Sequence, residues 1–265
     1  MDLENTLESR SPLKVFSSSS PLESLQHRNA FLGISLSKNK YFSKWRVAEY
    51  LRWAESRHER TMVIVADQLE AHNVAVFRGV SLNEAVLRVR VKGEELQRGY
   101  VRAVPPTMRQ RCEVVLASDL LARPECRALC DLVDQAAAEN ALFRNDIRAV
   151  VHENLLSHSN GDAGSRRTLV EANIAALGRY IIEEIAIVLY LNHRASPRYT
   201  VALFPYSPFA ALTHVYNGAY GDLFAAVTGG DRLEFVELAP SDEAGEKQEV
   251  VRPIMEEADE SAERS

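Results

Sequence analysis

The chain has 265 residues, 46% of them hydrophobic, which suffices for the core of one large or two small domains. No apolar run reaches the roughly 18–20 residues that a membrane-spanning helix needs, and the first residues lack a signal-peptide pattern, so we expect a cytoplasmic protein without membrane association. The net charge of −6 comes entirely from nine acids and three bases after residue 240, so the formally neutral remainder can still carry a basic surface for nucleic acid.

The N-terminal part predicts a strand–helix–strand unit. Residues 1–27 show no periodicity, and we expect them to form a mobile or loosely docked lead-in. An apolar strand over Ala30–Ile34 is followed by a helix that Ser43 caps, and a continuously apolar strand covers residues 61–66. Because the two strands are separated by a helix, we expect them to be parallel.

Helices and strands continue to alternate after this unit, as in an α/β fold. The predicted helices cover residues 81–104 (beginning at Ser81 or Asn83), 118–156 (interrupted near Pro124), 168–193 and 208–215, and the predicted strands cover residues 113–116, 199–204, 233–238 and 249–254. The helix over residues 168–193 begins with the capping box Thr-Leu-Val-Glu.

The predicted helix over residues 81–104 carries basic side chains on one side. At 100° per residue, four of them fall within an arc of about 120°, whereas Arg90 points elsewhere. These four are Arg88, Lys92, Arg98 and Arg102. Such a basic stripe can bind an RNA backbone, but it is also typical of a solvated helix face, since Glu94 and Glu95 lie near.

Several standard active-site motifs are missing from the sequence. There is no G-x-G-x-x-G for a dinucleotide, no G-x-x-x-x-G-K for a nucleoside triphosphate and no G-x-S-x-G for an esterase. The seven histidines are scattered, and the three cysteines form no C-x-x-C pair, so we expect reduced thiols and no metal site.

Ser35 is the candidate nucleophile, although a serine at a turn is the simpler interpretation of the local pattern. It follows the strand Ala30–Ile34, and Gly33 would let a substrate approach the backbone. Without a histidine, a serine needs another base or an activated ester, such as the aminoacyl ester of tRNA. A carboxylate would then hold the α-ammonium group, and a tyrosine could pass protons. Tyr180 and Glu184, one turn apart on an apolar helix, suit these roles.

In its order and separations, this pattern resembles the tRNA-dependent cyclodipeptide synthase family over roughly residues 28–255. The matching segments are Gly33-Ile34-Ser35 with Asn39, Tyr41-Phe42-Ser43, residues 51–54, 59–61 and 148–151, Asp67, Tyr180 with Glu184, Tyr206, and residues 250–253. The resemblance implies an α/β fold with a Rossmann-like parallel sheet flanked by helices, similar to the catalytic domain of class I aminoacyl-tRNA synthetases. It also implies a single catalytic domain over residues 28–255 in a monomer, and we expect an acidic disordered tail over residues 256–265.

The resemblance further implies that two aminoacyl-tRNAs are joined into a 2,5-diketopiperazine by a ping-pong route that uses no ATP and no metal. Ser35 would carry aminoacyl and then dipeptidyl esters, Glu184 and Tyr180 would hold the ammonium group, and Tyr206 would assist proton transfer. The remaining implied roles are a first side-chain pocket at Phe31, Gly33 and Ile64, substrate contact by Asn39, and tRNA binding by Arg88, Lys92, Arg98 and Arg102.

Three positions depart from the family pattern. Asn39 follows Ser35 by four residues instead of three, so either Lys38 or Asn39 faces the site. A shifted alignment would put Phe204-Pro205 in place of Tyr206, and Glu153 or Asn154 stands where relatives have an asparagine. The alternative function is a non-catalytic tRNA-binding Rossmann module, and the sequence leaves open which amino acids are joined.

Overall fold

The computed structural model describes residues 13–36, 40–156, 163–205 and 208–240. Within these residues, six strands form one sheet in the order β1-β6-β5-β2-β3-β4. The strands are β1 (Leu13–Ser18), β2 (Ala30–Ile34), β3 (Thr61–Val65), β4 (Cys112–Leu116), β5 (Val201–Phe204) and β6 (Glu234–Pro240). Strands β2 to β6 are mutually parallel, and β1 is antiparallel to β6. The predicted parallel sheet is confirmed.

Helices cover both faces of the sheet. They are α1 (Leu22–Leu25), α2 (Lys44–Glu55), α3 (Asp67–Arg78), α4 (Leu82–Ala103), α5 (Ala117–Leu121), α6 (Pro124–Glu139), α7 (Ala141–Leu156), α8 (Ala163–Ala172), α9 (Ile174–His193), α10 (Ala210–Tyr216) and α11 (Ala225–Thr228). Alternate strand residues face opposite layers, because successive side chains of a strand point to opposite faces. Phe31 and Ile64 pack with α6 and α9, whereas Leu32 and Val63 pack with α2 and α4.

The N-terminal segment differs from the expectation of a mobile or loosely docked lead-in over residues 1–27. Residues 13–18 form β1, which pairs with β6 at the edge of the sheet, and Ser17 Oγ donates a hydrogen bond to Glu237 Oε2 at 3.1 Å. The partner strand lies more than 200 residues further along the chain, so no local periodicity signals this pairing. The tail over residues 256–265 and the predicted strand over residues 249–254 lie outside the described residues.

Two predicted long helices are divided in the structure. The region over residues 118–156 forms α5, α6 and α7, with breaks before Pro124 and at Asn140. The predicted capping box at Thr168 is wrong, because Thr168 lies inside α8, where its hydroxyl donates to the carbonyl oxygen of Gly164 at 3.1 Å. Helix α9 begins after Asn173 instead.

Helix α3 is absent from the sequence-based predictions, and its start is held by two neighbouring elements. The backbone N–H and the hydroxyl of Ser118 donate to the two carboxylate oxygens of Asp67 at 2.9 and 2.6 Å. A Cβ atom at Gly93 of α4 would lie only 2.6 Å from the Cβ of Asp67, so glycine permits this close contact. The first turn of α3 is therefore fixed against α4 and α5. In the described part of the chain, no helix is long and apolar enough to cross a bilayer.

Candidate active site

Ser35 lies directly after β2, at the edge of the sheet where the parallel strands end. The backbone N–H of Ala66 donates to the carbonyl oxygen of Ile34 at 2.9 Å, which keeps the ends of β2 and β3 together. Ser35 is partly buried, and its hydroxyl donates a hydrogen bond to Glu70 Oε1 at 2.7 Å. Ligands of open α/β folds bind at this carboxyl edge, so the position suits a nucleophile.

Glu70, which the sequence analysis missed, belongs to the first turn of α3. Its second carboxylate oxygen accepts a hydrogen bond from Asn73 Nδ2 at 3.2 Å. The helix carries a start signal and a stop signal in the sequence: acidic residues in the first turn, and Gly79 with a φ of 62° immediately after its last residue. These two signals could have identified α3, and with it Glu70.

Glu184 of α9 is the second carboxylate of the site. Burial, and in addition the negative charge of Glu70, raise the pKa of Glu184 to about 7. The charge of Glu70, which accepts the hydrogen bond from the Ser35 hydroxyl, therefore acts on the predicted carboxylate Glu184. Tyr180 lies one turn earlier on the same face of α9 and packs against the hydrophobic core.

Helix α9 is anchored to its neighbours beside the Tyr180 and Glu184 face. His72 Nε2 of α3 lies 3.2 Å from Glu183 Oε2, and both side chains are buried. Arg179 bridges Glu183, at 3.3 Å, and Asp134 of α6. The first contact joins α9 to α3, and the Arg179 bridge joins α9 to α6. Glu184 therefore lies on a helix that is packed against the helix of Glu70.

The residues predicted for the first side-chain pocket share one face of the sheet. Gly33 is the register partner of Ile64 across β2 and β3, and Phe31 precedes Gly33 by two residues on the same face. Phe31 and Ile64 are buried, whereas a Cβ atom at Gly33 would meet no atom within 4 Å. Open space therefore lies beside Ser35 over an apolar floor.

Several predicted site residues cannot be compared with the structure. Lys38, Asn39 and Tyr206 lie outside the described residues, so their roles stay predictions. Glu153 is exposed near the end of α7.

The four basic residues of α4, Arg88, Lys92, Arg98 and Arg102, are all exposed. Arg88 pairs with Glu84 on the same helix, whereas Arg90 points away from the stripe and donates to Asp119 of α5 at 3.2 Å. Two exposed aliphatic side chains, Leu87 and Val91, lie on the same helix face. The surface is therefore basic and aliphatic at once.

Cofactor sites can be judged from the same side chains. Among the described residues, no group of three or more His, Cys, Asp or Glu side chains could hold a metal ion. Cys112, Cys126 and Cys130 are free thiols.

The parallel sheet and the polar side chains at its carboxyl edge define a Rossmann-like α/β protein, and solved structures of low sequence identity share this fold. A cyclodipeptide synthase from Fluoribacter dumoffii is 18% identical, with a TM-score of 0.65 over 86% of this chain and 97% of its own. A Mycobacterium tuberculosis protein, described as demonstrating that cyclodipeptide synthetases are related to type I tRNA synthetases, is 14% identical, with a TM-score of 0.63 over 88% and 95%. A cyclodipeptide synthase from Candidatus Glomeribacter gigasporarum, bound to Phe-tRNAPhe, is 14% identical, with a TM-score of 0.55 over 89% and 93%.

The family is shown by the sequence itself. Residues 16–195 match the family model described as cyclodipeptide synthase, which is more than half of the chain. The protein therefore belongs to the cyclodipeptide synthase family, as the resemblance implies, and its Rossmann-like fold is confirmed as well. A search of curated protein sequences gives no significant match.

Proposed function

We propose that this protein joins two aminoacyl-tRNAs into a 2,5-diketopiperazine through aminoacyl and dipeptidyl esters of Ser35. The observation that carries the proposal is the hydroxyl of Ser35 at the carboxyl edge of the sheet, hydrogen-bonded to the carboxylate of Glu70, whose charge in turn acts on Glu184. Membership of the family supports the reaction, and the tRNA-bound synthase from Candidatus Glomeribacter gigasporarum supports aminoacyl-tRNA as the substrate.

In the first half-reaction, Ser35 Oγ attacks the carbonyl carbon of an aminoacyl ester, and the terminal ribose oxygen of the tRNA leaves. The negative charge of Glu184 holds the α-ammonium group of the aminoacyl-enzyme, and the hydroxyl of Tyr180 assists. Gly33 leaves room for the first side chain over Phe31 and Ile64, which favour an apolar amino acid.

In the second half-reaction, the amine of the aminoacyl-enzyme attacks the carbonyl carbon of a second aminoacyl ester, and the terminal ribose oxygen of the second tRNA leaves with a proton. The ammonium form of the amine must first lose a proton, and a carboxyl group with a pKa of about 7 can accept one at neutral pH, which suits Glu184. The new terminal amine of the dipeptidyl ester then closes onto the ester carbonyl and releases Ser35. Tyr206 is proposed to assist this last proton transfer, with Asn39 contacting the substrate.

We propose further that the reaction proceeds in a cytoplasmic monomer without ATP or a metal ion. The aminoacyl ester is already activated, so each transfer exchanges one acyl bond for another. Two aminoacyl-tRNAs therefore supply all the chemical energy that ring formation needs.

A labelling experiment tests the covalent route. Incubated with radiolabelled aminoacyl-tRNA and denatured, the wild-type protein is expected to retain the label, and Ser35→Ala is expected to retain none. Ser56→Ala, at an exposed serine near the opposite edge of the sheet, is the matched control and should be labelled like the wild type. Equal labelling of the wild type and Ser35→Ala would contradict the assignment of Ser35 as the nucleophile. Mass spectrometry of medium from expressing cells identifies the product.

The basic stripe of α4 is the proposed contact with the tRNA backbone. Charge reversal in Arg98→Glu/Arg102→Glu is expected to weaken tRNA binding about tenfold or more at ~0.1 M salt, because each lost phosphate contact reduces counterion release. Filter binding with a tRNA that carries no amino acid measures the affinity. The control Arg60→Glu/Arg232→Glu reverses two exposed charges that lie just before β3 and β6, at the opposite edge of the sheet. Equal affinities of the two double variants would remove α4 from the interface.

A further inference from the structure

The side chain that accepts the hydrogen bond from the Ser35 hydroxyl is a carboxylate, Glu70. A carboxylate in this position can also accept the hydroxyl proton. We propose that Glu70 is the general base that activates Ser35 for attack on the aminoacyl ester. The inference rests on the proposed function and assigns to α3 a catalytic residue. The distance of 2.7 Å between Ser35 Oγ and Glu70 Oε1 lies within the range over which a general base takes a proton directly.

The orientation of Glu70 is set by its surroundings. Asn73 Nδ2 donates to Oε2 at 3.2 Å, which leaves Oε1 directed at the serine. Asp67, in the same first turn of α3, accepts two hydrogen bonds from Ser118 that fix the start of the helix. The buried side chains of His72 and Glu183, 3.2 Å apart, bring the middle of α3 into contact with α9. Glu70 is therefore held for proton transfer before the substrate arrives.

The two carboxylates of the site have separate tasks under this assignment. The incoming aminoacyl group brings one positive charge, its α-ammonium group, and Glu184 is placed to hold it. Glu70 is hydrogen-bonded to the nucleophile itself, so it is the carboxylate positioned to take the serine proton. Two carboxyl groups in different environments can take different roles in one reaction, and here Glu184 serves the amine of the substrate while Glu70 serves the hydroxyl of Ser35.

The acylation step balances with these groups alone. The Oγ–H bond of Ser35 breaks and its proton passes to Glu70 Oε1, while Oγ forms a bond to the carbonyl carbon. The tetrahedral intermediate then collapses, and the bond from the carbonyl carbon to the terminal ribose oxygen breaks. The ribose oxygen leaves with the proton from Glu70, so the carboxylate is restored and no further reactant is consumed.

The rate of ester formation on Ser35 tests the assignment. Glu70→Gln keeps the size of the side chain and an acceptor oxygen, but an amide cannot act as a base. In single-turnover rapid quench with labelled aminoacyl-tRNA, we expect this variant to form the ester about 10²–10⁴-fold more slowly than the wild type. Binding of tRNA should stay within about twofold, since Glu70 contacts the nucleophile and not the RNA backbone. Glu125→Gln, the same change at an exposed position of α6, should react like the wild type.

Chemical rescue separates a base from a residue that only supports the fold. Glu70→Ala leaves space beside Ser35, so added formate is expected to restore ester formation in a concentration-dependent manner, whereas chloride at the same ionic strength should not. A wild-type rate in Glu70→Gln, or no response of Glu70→Ala to formate, would overturn the role of Glu70 while leaving Ser35 as nucleophile. Absence of any ester in the wild type would instead overturn the proposed function, and the base with it.

Discussion

Buried polar groups differ between the two ends of the parallel strands, called here the amino edge and the carboxyl edge of the sheet. At the amino edge, Arg111 donates to the backbone oxygens of Glu55 and His58 at 2.7 and 3.0 Å, and His58 Nδ1 lies 3.1 Å from the carbonyl oxygen of Arg28. These side chains satisfy backbone groups of the turns between elements. At the carboxyl edge, the Ser35 hydroxyl donates a hydrogen bond to another side chain, Glu70. The negative charge of Glu70 also acts on the partly buried carboxylate of Glu184. Polar groups stabilise the first edge, and the second edge collects acidic groups that burial makes costly.

The contributions of the two edges to the free energy of unfolding are therefore expected to change with pH in opposite directions. Burial lowers the pKa of His58 from 6.5 to about 4, so stability is complete above pH 6.5 and falls as the pH drops towards 4. Burial and the charge of Glu70 raise the pKa of Glu184 from 4.5 to about 7. The folded protein holds this proton more tightly than the unfolded chain does, so stability falls as the pH rises from 4.5 towards 7.

Replacing Glu184 tests the carboxyl edge, where we expect the larger effect of the two edges. Glu184→Gln is expected to lower cyclodipeptide output about 100-fold, because a neutral amide loses a charge-assisted contact with the ammonium group. At pH 8 its free energy of unfolding should exceed that of the wild type by roughly 1–3 kcal/mol, and the difference should shrink towards pH 5. Product mass spectrometry and urea unfolding measure the two quantities.

The matched control for that change is Glu59→Gln, an exposed glutamate at the amino edge. It should change neither the product nor the pH dependence of unfolding. A Glu184→Gln variant that is less stable than the wild type at pH 8 would show that the carboxylate stabilises the fold, and the contrast between the edges would then disappear.

Replacing His58 tests the structural edge, where we expect a smaller effect on stability alone. Between pH 6.5 and 4, the wild type should lose roughly 1–3 kcal/mol more of its free energy of unfolding than His58→Gln, which has no proton to gain. Product formation per folded molecule should stay within about twofold, because His58 lies at the opposite edge from Ser35. Unfolding in urea at several pH values provides the measurement.

His27→Asn serves as the control at the same edge. His27 is exposed and has a φ of 62°, a conformation that asparagine tolerates. This variant should follow the pH dependence of the wild type. A large loss of product in His58→Gln would mean that the amino edge also contributes to the reaction.

The residues of the candidate site that the sequence could suggest are those that depend on local patterns. Ser35 follows a short apolar strand whose last residues are Gly33 and Ile34. Tyr180 and Glu184 are four residues apart, a spacing that puts them on one face of a helix. Strands β2 and β3 could be predicted because apolar runs of five residues signal a strand that is covered on both faces.

The missed parts depend on contacts that are distant in sequence. In α3, Asp67 and His72 are polar but buried, because Ser118 and Glu183 supply their partners, so the helix lacks a clean apolar stripe. Glu70 was missed together with that helix. Local pattern also misplaced the start of α9, since Thr168 matches a capping box although it lies inside a preceding helix.

Strand β1 has a consequence for how the chain avoids self-association. It pairs along β6 from Leu13 opposite Pro240 to Ser18 opposite Val236, and thereby covers an outer row of backbone N–H and C=O groups. A variant that begins at residue 28, where the sequence resemblance begins, would lack β1. The outer backbone groups of β6 would then be unpaired, and a second molecule could add a strand there. Strand β1 thus leaves no unpaired backbone row on the outer side of β6, from Leu13 opposite Pro240 to Ser18 opposite Val236.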